Sequence, residues 1–422
     1  MNYQQIFADI VSIIQYDYAG SYDKQGWDDP DTYKDEIITL SKKGTLNPRV
    51  FAEVVQDYLL DLKDPHVAFR IREPQSLASS EETGFKVRRV HDKLYITEVS
   101  KDSGVDRGQV ITSLDGISIL DLAEKHRRQL MENTAEREKW NKILPLYSKA
   151  QVTDSFGRTD WISIKTYSAS TPESEYSLKK LDGAWLLKMT DFMDPDKIAN
   201  LVQENKEHLQ AMDKLIIDVR INNGGVDSAY FPLLPYLFKE PIVDLSEEEG
   251  RSLTNCTSRN VRLRESMLRN IADKSEDETT KFMVNIIVTE LIKQKGEGFV
   301  ELDLSELDSS FTIESKPGPD QIIVLSDVYC GSSGDSFVET CKKSAKVTVI
   351  GRATAGLNDY TNVAIQSWDK FELIYPTSRS AQLDRGKGMV SKGIEPDVYI
   401  PWSPAHLEED ADLEAALRML TD

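Results

Sequence analysis

Two stretches, "KLIIDVRINNGG" from Lys214 and "QIIVLSDVYCGSSGDSF" from Gln321, restrict the fold of this chain more than any other feature. In each, consecutive apolar residues, Leu215–Ile217 and Ile322–Leu325, fill both faces of a strand that leads into a glycine-containing turn. A strand that is apolar on both faces is covered on both faces, the habit of parallel sheets flanked by helices. The neighbouring stretches keep that rhythm. "AWLLKMTDF" reads as a strand, and Asp194-Pro195 opens a helix carrying Ile198, Leu201, Val202, Leu209 and Met212. A helix from about 334 and the strand "KVTVIG" follow the second stretch. Strand–helix alternation of this kind predicts an α/β core over 175–245 and 319–405.

The rest of the 422 residues exceeds what one core organises, so a multidomain α/β protein is expected. Residues 1–72 form a helical N-terminal segment. Asn47-Pro48 opens its last helix, Phe51, Val54, Val55, Tyr58, Leu59 and Leu62 share a face, and Asp64-Pro65 ends it just before His66 and an extended run from Val67 to Ile71. Residues 83–167 are β-rich: "GFKVRRVHDKLYITEVS" and "GQVITSLDGISI" alternate, with Asp115-Gly116 as a tight turn and a helix starting near Leu120. The segment 246–318 is a charged, mostly helical insertion, a candidate lid or contact of a homo-oligomer. Residues 406–422 make a C-terminal helix with Leu413, Ala416, Leu417 and Leu420 on one face.

Composition narrows the partners. The formal net charge is −20, which repels phosphate backbones and anionic lipid, so neither nucleic acid nor membrane is expected as a partner. The first twenty residues lack a basic start and are broken by Asp9, which makes an amphipathic helix and not a signal peptide. No run of 18 apolar residues occurs. Three cysteines, Cys256, Cys330 and Cys341, fit a reducing compartment and supply no metal-ligand spacing, so no metal and no cofactor are expected. Cytoplasmic residence follows if Met1 is the native start, and secretion if it is a trimmed one.

Three places can carry chemistry. Ser332 lies between a buried strand and a helix N-terminus, where free N–H groups and the helix dipole converge; on its own it equally reads as a helix cap. The stretch lacks G-x-S-x-G, and no lysine follows it to make a phosphate loop. His66 follows a proline at a helix-to-strand junction, while His91, His126, His208 and His406 read as solvated. The glycines Gly224 and Gly225 end a buried strand at the edge where α/β proteins bind ligands, or simply make a turn.

Together, and in this order, these elements resemble the C-terminal processing and tricorn-core family of serine peptidases. "LKDPHVAF" is similar to its Leu-x-Asp-x-His element, "LIIDVRINNGG" to Asp-Leu-Arg-x-Asn-x-Gly-Gly, "YCGSSGDSF" to the nucleophile turn, and "GIEPDVYI" to Gly-Ile-x-Pro-Asp. The resemblance covers nearly everything after the first helices and implies a crotonase-like or ClpP-like β-α core. It also implies a PDZ-like module over 83–167, with Gly84 and Phe85 at the peptide-binding loop. Ser332 would be the nucleophile and His66 the base, with an oxyanion hole from the N–H of Ser333 and that of Gly224 or Gly225. The implied activity is endopeptidase cleavage of peptides or unfolded polypeptides. A catalytically silent peptide-binding protein and a small ester or amide hydrolase are the alternatives. Two departures stand out. Leu357 occupies the place of the lysine in the Ser–Lys branch. Pro65 and Val390 or Ser391 occupy those of the serine and glutamate in the His branch, which leaves Ser391 or Asp384 to orient His66.

Overall fold

The computed structural model describes residues 2–72, 81–100, 103–132, 134–168, 173–245, 251–275, 278–307 and 312–421. The chain forms two compact units, one of Met1–Ala78, Ile242–Glu314 and Leu357–Val390, the other of Ser79–Pro241, Ser315–Gly356 and Ser391–Asp422.

The first unit is built on the helices Tyr3–Ser12, Pro30–Lys42 and Pro48–Leu60. Asp29 and Asn47 cap the second and third, their side chains accepting first-turn N–H groups, and a proline follows each cap at the position whose N–H needs no partner. The apolar faces expected from spacing are the buried ones. Phe7, Ile10, Ile14, Phe51, Val55 and Tyr58 pack with Phe69, Phe371 and Tyr375. The last three come from an antiparallel sheet. Its long strand Phe371–Ser380 pairs with Tyr360–Ser367, with Ala68–Ile71 and with Ser252–Asn255, and Phe299–Glu301 extends it. The helices Ser258–Lys274 and Glu278–Lys293 join through Val261, Leu268, Val284, Val288 and Leu291.

In the second unit a six-stranded sheet runs Tyr176–Lys180, Trp185–Met189, Lys214–Asp218, Gln321–Ser326, Val347–Gly351 and Val398–Tyr399. Only the first pair is antiparallel. Ile216, Ile323 and Leu325 meet Ala416 and Leu420 of the terminal helix Ala411–Thr421. Each such fully buried aliphatic side chain contributes about 1.5–3 kcal/mol relative to exposure. An antiparallel sheet follows the order Phe85–Val90, Lys93–Val99, Val110–Leu114, Lys149–Thr153, Thr159–Ser163, so Phe85–Val90 is an edge strand. Its turns use residues at positive φ, His91 at 53° and Asp115-Gly116 at 46° and 82°. Leu94, Ile96, Ile111, Leu122 and Trp140 form its core.

Two histidines expected to be solvated are not. His126 is 7% exposed, with Nε2 2.6 Å from the Tyr147 hydroxyl. The His406 side chain is 8% exposed, with Nε2 3.2 Å from Asp412. Each lies against a polar partner on another element, Tyr147 for His126 and Asp412 of the terminal helix for His406, which helical periodicity does not reveal. Among the described residues no helix is long and apolar enough to cross a membrane, and no three metal-ligating side chains cluster.

A buried ionic chain ties the sheets of this unit together. Arg88 donates to both oxygens of Asp327 at 2.6 and 3.0 Å, and Arg352 donates to Asp327 at 2.7 Å and to Asp412 at 2.6 Å. Burial raises the Asp327 carboxyl, but the guanidinium charges of Arg88 and Arg352 more than reverse this and hold it at about 2. A folded-state value below the ordinary value near 3.9 contributes stability that is fully present above about pH 4 and is lost as pH falls toward 2. Urea unfolding between pH 5 and pH 2 should therefore show a loss on the order of 2–3 kcal/mol that an Asp327→Asn variant lacks.

Candidate active site

The strand Gln321–Ser326 is buried at all but its first residue and ends at Asp327, from which the chain turns through Cys330 and Gly331 into the helix Ser333–Lys342. Ser332 sits at the corner with φ 57° and ψ −123°. A residue with a Cβ reaches that region only when its surroundings hold it there, at a cost of about 1–3 kcal/mol. The turn is thus strained, although it lacks the G-x-S-x-G spacing associated with strained serine turns on other folds.

The neighbours that hold it are backbone groups and two polar side chains. Gly331 donates its N–H to Asn222 O at 2.9 Å, and Ala355 donates to Cys330 O at 2.6 Å. Ser332 donates its N–H to the Asp335 carboxylate at 2.8 Å. Asn222 is fully buried; its amide donates to Met189 O at 3.1 Å and its oxygen accepts the Gly224 N–H at 3.0 Å. The turn expected after "KLIID" therefore lies directly against the turn expected at Ser332. At Gly224 (φ 94°) a Cβ would stand 2.7 Å from both Gly331 O and Ser332 Cβ. At Gly225 (φ 151°) it would stand 2.1 Å from Phe192 O. Substituting Gly225→Ala combines a forbidden contact with a strained φ. It should destabilise the unit by at least about 3 kcal/mol, read as a fall in the urea midpoint.

The donors in this cluster divide into used and unused. The Gly224 N–H is taken by Asn222, whereas among the described residues no acceptor takes the N–H of Ser333 or of Gly225. Ser333 stands at the first position of its helix, where an N–H has no intrahelical partner and the positive end of the helix dipole adds to it. Ser332 is half-buried, and its side chain accepts the Asp335 N–H in a capping box. Apolar side chains stand exposed on the adjoining segments: Met193 at 70%, Ile221 at 48%, Val226 at 49%. A hydroxyl on a strained corner, with unused backbone donors and an apolar apron, is equipped for acyl transfer from an extended chain.

His66 belongs to the first unit. The helix Pro48–Leu60 ends, Lys63 takes φ 49°, and Asp64 folds back so that its Oδ1 accepts the His66 N–H at 2.9 Å. The other Asp64 oxygen accepts the Tyr18 hydroxyl at 2.8 Å. Burial, and then the Asp64 charge, push the Tyr18 hydroxyl well above its ordinary value, so it stays a donor. Asp64 is 5% exposed, and its Oδ1 lies 3.8 Å from His66 Nδ1. That distance suits an ion pair with a protonated ring but is too long for a hydrogen bond, and Nδ1 is buried with no hydrogen-bond partner. The sequence presented Asp64 as a helix breaker and as the Asp of the Leu-x-Asp-x-His element without a role of its own; its spacing of two from the histidine was the available signal.

The other expected residues lie as follows. Asp384, in the first unit, is exposed and accepts from both terminal nitrogens of Arg379 at 2.9 and 3.1 Å. Ser391, in the second unit, is half-buried with φ 62°. Gly84 (φ 74°) accepts the Ser100 N–H at 2.8 Å, and Phe85 is buried in the core of the antiparallel sheet.

A family model described as Peptidase family S41 matches residues 185–400. Among solved structures, the chain is similar to mature CPAF at 14% identity and TM-score 0.67, over 99% of this chain and 96% of that one. Mature CPAF complexed with lactacystin gives the same identity and TM-score, over 99% and 97%. At this identity the likeness speaks to the fold. No curated protein matches the chain by sequence. The family match takes in just over half of the chain and contains both glycine-ended strands, the strained Ser332 corner and the Asn222 hub. The chain belongs to peptidase family S41 and is a serine-type peptidase.

Proposed function

We propose that the protein is an endopeptidase that cleaves peptides or unfolded polypeptides through an acyl-enzyme on Ser332, with His66 as general base. The observation that carries this reading is the strained corner at Ser332, closed against Gly224 and flanked by the unused N–H groups of Ser333 and Gly225. Ser332 Oγ attacks the scissile carbonyl while His66 accepts the hydroxyl proton. The oxyanion that forms is met by Ser333 and Gly225, Gly224 being engaged with Asn222. Collapse breaks the C–N bond as His66 returns the proton to the leaving amine. Water then attacks the ester, giving its proton to His66, and the carboxylate product leaves with Ser332 restored. Asp64 is the orienting partner we favour over Ser391 and Asp384, because it already faces Nδ1 and stabilises the charge the ring acquires.

In this reading the antiparallel sheet from Phe85 is a PDZ-like module whose edge strand Phe85–Val90 takes an extended peptide by strand addition. The core is of the crotonase-like kind. The silent-binder alternative loses ground to the family match. A fluorophosphonate probe followed by peptide mapping tests the proposal. Labelling at Ser332 that disappears in Ser332→Ala and in His66→Ala is expected; labelling elsewhere, or none, overturns it.

A further inference from the structure

We propose that Asp335 is a positioning residue for the reaction: its carboxylate holds the strained backbone of Ser332 against the turn at residues 353–356. The inference rests on Ser332 being the nucleophile. A φ of 57° at a serine relaxes unless neighbouring contacts over-determine it. Asp335 is fully buried, and its two oxygens do different work. One accepts the Ser332 N–H at 2.8 Å; the other leaves the helix and accepts the Gly356 N–H at 2.9 Å. An ordinary first-turn carboxylate serves only its own helix end. This one joins the nucleophile corner to a separate loop.

That loop is itself anchored, so the link has something firm to pull on. Ala355 donates to Cys330 O at 2.6 Å, on the other side of Ser332. Arg137 donates to Thr354 O at 2.8 Å and to Ala355 O at 3.0 Å. The corner is thus fastened before and after Ser332 to one short segment. Fixing the Ser332 N–H fixes the peptide plane that precedes it, while the Ser336 N–H on Ser332 O at 3.2 Å holds the next plane, which carries the Ser333 N–H. Charge-assisted bonds of this kind are stronger than neutral ones, and both end on a fully buried carboxylate.

Asparagine at 335 keeps the shape but has one oxygen for two N–H donors, and its amide nitrogen faces the other. Asp335→Asn is therefore expected to lower the second-order rate constant for fluorophosphonate labelling of Ser332 roughly a hundredfold, the scale of a misplaced reacting group. Peptidase kcat should fall by the same factor and KM should stay within about twofold. The number of labelled sites per chain should not change. Asp335→Glu, which keeps both acceptors, should recover at least about tenfold of the loss. A merely structural role gives another result, fewer labelled sites with the rate constant of each unchanged, and that result overturns the inference. So does a wild-type rate constant in Asp335→Asn. Amide hydrogen exchange on the wild-type protein decides the matter if the variants do not fold: Ser332 and Gly356 N–H are expected to be protected together, and exchange of either at open-loop rates overturns it. Absence of labelling at Ser332 in the wild-type protein marks a different failure, that of the nucleophile assignment itself.

Discussion

Ser332→Ala is expected to lower kcat for peptide cleavage by roughly five to six orders of magnitude. That is the scale at which a nucleophile and its base fail as a unit. In the proposed mechanism the two act as a unit, so His66→Ala should cost nearly as much, and the double variant little more than either alone. The strain at Ser332 adds a stability signature. Alanine keeps a Cβ at φ 57°, so the strain remains, whereas Ser332→Gly releases it. Release is worth about 1–3 kcal/mol, offset by the roughly 0.5–1 kcal/mol that glycine loses through the freedom of its unfolded chain. The glycine variant should therefore unfold at a higher temperature than the alanine variant while both are inactive. Equal melting temperatures would show that the corner stores no strain. Residual turnover within tenfold of wild type in either variant would remove Ser332 from the mechanism.

Asp64→Asn should lower kcat about a thousandfold. The Asp64 Oδ1 lies 3.8 Å from Nδ1, where a negative charge favours the charged ring that forms as the proton is taken. That interaction strengthens only as the ring becomes charged, which places the loss in kcat and leaves KM little changed. Asparagine still accepts the His66 N–H, so the loop should keep its path and the melting temperature should move by only a few degrees. In the double variant Asp64→Asn, His66→Ala, the asparagine should add nothing to the histidine loss. An additive loss would show that Asp64 acts on something other than the ring. If Asp64→Asn is fully active, the carboxylate is structural, and the orienting role returns to Ser391 or Asp384.

How far the sequence reached can be seen at particular residues. Helix starts were readable because capping is local: Asn47-Pro48 and Asp194-Pro195 both open helices, each with the side chain accepting a first-turn N–H. The parallel sheet was readable because Leu215–Ile217 and Ile322–Leu325 have no wet face. The burial of His126 and His406 was not readable, since it depends on Tyr147 and Asp412, which approach from other elements. Nor was the five-stranded sheet of the first unit, whose strands Ala68–Ile71 and Phe371–Ser380 come from opposite ends of the chain. Short antiparallel strands carry little signal of which partner they will find.

The corner at Ser332 divides the same way. That a serine would stand between a buried strand and a helix, with glycines on either side, follows from the order of residues 321–337 alone, because apolar runs, glycine and capping act over a few residues. The serine does cap its helix, in a reciprocal pair with Asp335, and that its backbone is also strained and clamped was decided by tertiary contacts. Asn222 receives Gly331, Gly224 closes on Ser332, and Asp335 reaches Gly356. Backbone strain persists only where contacts from remote segments outweigh it, and those contacts exist only once the chain has folded.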